Sequence, residues 1–127
     1  MSSEALNHIR FTPDEFADSL TLREVQDGQR QYDEVFWQHQ GPPNLIKIRH
    51  ILLHLMETTG RVATWVEAAE HGGSEPATDI LANKVTPDLL FHAAQLANVL
   101  NVDLGAVYVT RIDNNATKRE SALQNPN

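Results

Sequence analysis

His50, His54, Glu57 and Arg61 form one line of side chains able to bind metal, move protons or grip an anion. Asp88, His92, Gln95 and Asn98 form a second. Steps of three and four residues, at about 100° per residue, put each line on one face of a helix. Imidazole and carboxylate on two facing helices suit a cation site or an acid–base pair, and a guanidinium suits a phosphate. His54-x-x-Glu57 and Asp88-x-x-x-His92 are spacings at which two helices close on one ion. The ordinary alternative is plain too. Histidines four apart on a helix are commonly satisfied by a single hydrogen bond, and Asp88 in a first helical turn favours the macrodipole.

The elements that must position these lines are readable from caps and breakers. Thr12-Pro13-Asp14-Glu15 is a capping box that opens a short helix to about Leu20. Thr21-Leu22-Arg23-Glu24 is a second box. It opens a helix to about His39, with Leu22, Val25, Tyr32, Val35 and Phe36 as its expected buried residues. Gly41-Pro42-Pro43 stops it, and Asn44 caps a long helix over 45–71 that Gly72-Gly73 closes. A short turn or helix over 78–84 leads to Thr86-Pro87, read as a cap with a first-position proline. Helices over 87–100 and, after the Asp103 cap, 104–119 complete the set. This predicts an all-α, four-helix-bundle domain over 12–119, with a lead over 1–11 and a tail over 120–127.

Both helices that carry the polar lines are otherwise apolar. On the 45–71 helix, Leu45, Ile48, Leu52, Leu55, Thr59, Val62, Val66 and Ala69 make a heptad-like row, and Ile46, Ile51, Leu53 and Trp65 flank the polar line. A helix apolar nearly all round must be buried nearly all round. In a chain of 127 residues that is hard to arrange, and a homodimer accounts for it.

Composition excludes several classes. The chain has no Cys, so thiolate metal sites, disulfides and Cys nucleophiles are out. Ten basic against 17 acidic residues give a net charge of −7, which argues against a nucleic-acid backbone as partner. No apolar run is long enough to span a membrane, and no secretory signal pattern opens the chain, so a cytoplasmic protein is expected. No Ser or Thr follows a strand-to-helix elbow, and no Gly-rich phosphate loop is present.

The stretch Leu53-His54-Leu55-Met56-Glu57-Thr58-Thr59-Gly60-Arg61-Val62-Ala63 resembles the first motif helix of the MazG-like, all-α nucleoside triphosphate pyrophosphohydrolases. Asp88-Leu89-Leu90 through Leu96-Ala97-Asn98 and Val102-Asp103-Leu104 resembles their second. Arg111 to Arg119, with Asn115 and Lys118, resembles their basic, Asn-containing end. The resemblance covers about residues 21–119. It implies a helical bundle forming a dimer or dimer of dimers. It also implies splitting of a nucleoside triphosphate to monophosphate and pyrophosphate, with carboxylates of an EExxE and an ExxD motif holding Mg²⁺.

The chain departs from that pattern at three of the five acids. The first motif reads Glu57-Thr58-Thr59-Gly60-Arg61, and the second reads Val85-Thr86-Pro87-Asp88. By this resemblance Glu57 and Asp88 are the catalytic and metal-binding carboxylates that remain; His54 and His92 are added metal donors by their place on the same two lines, not by the resemblance. Arg61, Lys84, Asn98, Arg111, Asn115 and Lys118 are the substrate-binding candidates. The leading expectation is a nucleotide-binding or phosphate-binding protein whose hydrolysis is impaired, with Arg61 paired to Asp88 or Glu57 in the place of a cation. One alternative is a hydrolase with a histidine-rich site for Mn²⁺, Fe²⁺, Ni²⁺ or Zn²⁺. Another is the family's ordinary Mg²⁺ activity, helped by Asp79 or Glu67. A third is a dimeric interaction protein without catalysis. Trp37 and Trp65 are offered either to core packing or to stacking on a base.

Overall fold

The structure, a computed structural model, describes residues 19–37, 45–74 and 77–125. Among these the chain is helical, with no strand. The elements are α1 (Leu22–Phe36), α2 (Leu45–Glu70), a single turn α3 (Thr78–Ile80), a π-helical turn (Leu81–Val85), α4 (Thr86–Leu100) and α5 (Leu104–Gln124). No helix among the described residues is long and apolar enough to cross a membrane. The expected helix from Thr12 lies outside them except for Ser19 and Leu20, which are not helical. The Gly41-Pro42-Pro43 stop and the Asn44 cap also lie outside.

Local chemistry sets most boundaries. The Thr21 hydroxyl accepts from the Glu24 N–H at 3.1 Å, and the Glu24 carboxylate accepts from the Thr21 N–H at 3.3 Å, the reciprocal box that starts α1. At the end of α4, Asn101 takes the left-handed conformation with φ 54, and the Val102 N–H reaches back to the Ala97 carbonyl at 3.0 Å. Two residues on, Asp103 caps α5 by accepting from the Ala106 N–H at 2.8 Å. α5 continues to Gln124, past the expected end at 119, through residues that include the good helix formers Arg119, Glu120, Ala122 and Leu123.

The break expected at Thr86-Pro87 is not there. The chain runs helically from Thr78 into α4 through the π turn. The Thr86 N–H bonds the Leu81 carbonyl five residues back, and the Thr86 hydroxyl donates to the same oxygen at 2.8 Å. Pro87 has no N–H, and its ring crowds the carbonyl four residues earlier. A widened turn relieves both problems without ending the helix.

α4 is the hub. It packs on α1 and on α2, while α5 leans on α1 and α4. Among the described residues the buried apolar ones are Ile51, Val85, Ala94 and Ala97, and Gln26, Gln29, Thr58 and Gln95 are buried with them. This corrects the expected interior of α1. Leu22, Val25 and Val35 are only half-buried, Tyr32 and Phe36 are exposed, and the glutamines face inward. The α4 surface opposite them is itself polar, at Gln95 and Asn98, and buried amides must find each other. Tyr32 and Phe36 stack on one another at 4.7 Å, and Tyr32 meets Phe91 edge-on at 5.3 Å. The inward line of α2 also differs from the expected row. It centres on Ile51 and Thr58, flanked by Ile48, Leu55, Val62 and Trp65, while Leu45, Leu52, Thr59 and Val66 are exposed.

Gln26 joins three of these segments. Its Nε2 donates to the Asn98 side chain at 3.2 Å and to the Val102 carbonyl at 2.9 Å, and its Oε1 accepts from the Leu104 N–H at 2.8 Å. Replacing it with Leu leaves the Leu104 N–H without its acceptor and the Val102 carbonyl without this donor, while Asn98 keeps Arg30. Urea unfolding of Gln26→Leu should show a loss of about 2–3 kcal/mol. Arg23→Ala, which removes an exposed ion pair bridging the same helices, should cost clearly less.

Candidate functional site

Asp33 lies one turn beyond Gln29 on α1 and faces the polar line of α4. Its Oδ1 accepts from Gln29 Nε2 and from Gln95 Nε2, both at 2.9 Å. That contact orients the Gln95 amide: with its NH₂ turned to the carboxylate, its Oε1 faces His92 Nδ1 at 3.0 Å. An amide oxygen only accepts, so His92 carries its proton on Nδ1. The result is a directed chain of hydrogen bonds, His92 to Gln95 to Asp33.

From His92 the site continues as a row of rings. His92 stacks on His54 at 5.6 Å between centroids and 17° between planes. His54 meets His50 at 4.5 Å, with the two Nε2 atoms 3.0 Å apart. That bond needs one ring to hold its Nε2 proton and the other to offer a lone pair. His50 in turn stacks on Trp37 at 5.5 Å, and the Lys47 ammonium lies 6.0 Å from the Trp37 ring. α1 supplies the carboxylate and Trp37, just past its end, the indole; α2 supplies two imidazoles and the ammonium, and α4 the third imidazole.

Burial holds the Asp33 carboxyl above its ordinary value of 3.8, against the lowering pull of the Gln95 and Gln29 amides and of Lys47 and His92. At the far end of α1 the balance reverses. The Ala106 N–H, followed by the Arg23 guanidinium, holds the Asp103 carboxyl below its ordinary value.

The residues singled out by spacing fall into separate groups. His54 and His92 meet in the ring row. Glu57 is tied to Arg61 at 2.9 Å within α2, and its other oxygen is 3.8 Å from His54 Nδ1. Of the two partners expected for Arg61, Glu57 is the one it takes, and Asp88 makes no ion pair or hydrogen bond among the described residues. Thr58 and Val85 are buried, so two positions where the resemblance implies acids belong to the interior. Asn98 is committed to α1: its side-chain oxygen accepts from Gln26 and Arg30, and its NH₂ donates to the Gln26 carbonyl. Lys84, Asp79 and Glu67 are exposed, as are Arg111, Asn115 and Lys118 along α5. No three His, Asp or Glu side chains among the described residues converge as a metal cage. This donor set does not fit a Mg²⁺ site, which needs several oxygen ligands around one point.

Asp33, Gln29 and Lys47 were not among the candidates, and Trp37 was offered only to core packing or base stacking. Their signal was present: Gln26, Gln29, Asp33 and Trp37 step by three, four and four, a third line that matches the one on α4. The apolar row beside it masked it. A cleft of about 260 Å³ opens next to Gln29, between Tyr32 and Val25 on α1 and Pro87, Leu90 and Phe91 on α4. A polar pocket of about the same volume lies among Arg23, Arg30, Asn101 and Asp103.

Compared with protein-family models, with curated proteins and with solved structures, the chain matches none.

The raised Asp33 value gives a signed pH dependence. A carboxyl with a higher value in the folded than in the unfolded chain contributes stability that is full below the unfolded value. That contribution is lost as pH rises through the folded value. Asp33→Asn keeps an acceptor for both glutamines and removes the titration. It should gain stability over the parent at pH 7 and lose that gain at pH 3. Asp33→Ala leaves two buried amides without an acceptor and should cost about 1–3 kcal/mol at both pH values. Chemical denaturation at the two pH values measures each.

Proposed function

We propose that this chain is a MazG-like helical protein whose metal site has been converted to packing and ion pairing. In this reading it binds a nucleotide or another phosphorylated small molecule and does not hydrolyse it efficiently. The observation that carries the reading is the Glu57–Arg61 pair at 2.9 Å. The first motif acid that remains has a permanent cation from its own helix where a metal ion would sit. Two further acid positions of the motifs are filled by the buried Thr58 and Val85, and a carboxylate at either would be costly unless paired. Asp88 is then the sole remaining motif carboxylate without a cation, too few ligands for two-metal chemistry.

What remains suits an anion better than a metal. The Lys47 ammonium lies 6.0 Å from the Trp37 ring at the end of the ring row, a cation beside an indole of the kind that stacks on a base.

The test is pyrophosphate release from a panel of ribo- and deoxynucleoside triphosphates with Mg²⁺ or Mn²⁺, alongside calorimetric binding of the same nucleotides. The expected outcome is no turnover above the metal-free control. Binding should survive chelation of the metal and weaken about tenfold or more in Lys47→Ala. Robust turnover that collapses in Asp88→Ala overturns the proposal. So does a tightly held transition metal found by elemental analysis of untagged protein.

A further inference from the structure

Three locally unfavourable features of the chain meet at the cleft of about 260 Å³ between α1 and α4. The first is Gly28, in the middle of α1, where glycine weakens a helix. The second is the π turn over Leu81–Val85, which delivers Pro87 to the opposite wall. The third is Gln29. It is 7% exposed, and its Nε2 donates to Asp33 at 2.9 Å. Its Oε1 accepts no hydrogen bond among the described residues. That oxygen is not sealed in the interior: it keeps an opening, and the cleft is the opening that Gln29 lines. A polar atom held out of bulk water without a partner is costly. Departures from local preference of this kind gather where a protein binds something.

The walls define what fits. Tyr32 meets Phe91 edge-on at 5.3 Å, a corner that a third ring completes. Tyr32 and Leu90, on facing walls, are 37% and 41% exposed. Among the described residues no charged side chain lines the cleft, so a phosphate or carboxylate would enter it without a counter-charge. The free acceptor is an amide oxygen, which takes an N–H or an O–H. The volume is below that of pockets for drug-sized ligands and holds one or two rings.

We infer that this cleft binds a neutral aromatic molecule of one or two rings carrying an N–H or O–H donor. Its ring packs on Tyr32, Leu90 and Phe91, and its donor meets Gln29 Oε1. Water alone would satisfy the oxygen and leave the apolar walls wet. A purely apolar molecule would dry the walls and leave the oxygen bare. A ring with one donor answers both. The site is separate from the Lys47 and Trp37 end of the ring row, so this inference stands independently of the nucleotide reading.

Indole serves as the probe. Titrated into the ¹⁵N-labelled full chain, it should shift the backbone amides of Gly28, Tyr32, Leu90 and Phe91 and the side-chain NH₂ of Gln29. The shifts should saturate with a Kd of about 0.1–1 mM, ordinary for a molecule of about nine non-hydrogen atoms. Indene, the same two rings without an N–H, should bind about tenfold more weakly, a comparison that needs no variant. In Gln29→Met that preference should vanish, which a loss of packing alone would not produce. Leu90→Trp fills the cleft from α4 and should weaken both probes by about tenfold or more while far-UV circular dichroism stays helical. No saturable shift by about 2 mM indole overturns the inference. Equal affinity of the parent chain for indole and indene, or shifts centred on Trp37 and the histidines instead of the cleft, also overturns it.

Discussion

Gln26 stands where α1 crosses the end of α4 and the start of α5, and its amide is fully used. Both N–H groups donate, one to Asn98 and one to the Val102 carbonyl, and its oxygen takes the first backbone N–H of α5. The end of one helix and the beginning of the next expose unpaired backbone groups within a few residues of each other. A single buried side chain answers both. The direction in which α5 leaves the other helices, and the register of α1 on α4, follow from that constraint more than from apolar contact.

The rest of the α1–α4 contact is built in the same way. Gln29, Asp33 and Gln95 form a second knot of amides around one carboxylate, and its far end sets the proton position on His92. Ala94 and Ala97 are buried on the same helix, and small side chains there let the polar line come close enough to bond. Such an interface is specific because a shift along the helix axis would leave several groups unsatisfied at once. It also brings an acid, three imidazoles and an indole into one continuous row, with chemistry confined to the edge of the α1–α4 seam and its junction with α2.

Motif positions and packing tell a consistent story on α2 and α4. Where the resemblance implies metal-binding acids, this chain has one residue in the interior of each helical segment, Thr58 and Val85, and one cation that pairs along its own helix. An arginine four residues after a glutamate is a favourable helical pair whatever surrounds it, so the Glu57–Arg61 contact needs no third helix to form. Asp88 makes no ion pair or hydrogen bond among the described residues.

Local signals in the sequence were read correctly because they depend on neighbours within four residues. These are the Thr21–Glu24 box, the Asp103 cap and the Gly72-Gly73 stop. The helical class and the His54–His92 meeting were also legible, since spacing alone places those rings on facing stripes. Which side of each helix faces inward was not. α2 is apolar on nearly every side, so periodicity names no unique inner row, and α4 selected the line through Ile51 and Thr58. On α1 the apolar row of Val25 and Tyr32 looked like the buried one, but the amides of Gln95 and Asn98 demanded amide partners and turned Gln26 and Gln29 inward. The sequence by itself determined where helices start, where they end and which residues share a face. Only the tertiary structure decided which face is buried, because that choice is set by the hydrogen-bonding needs of a helix some seventy positions away in the chain.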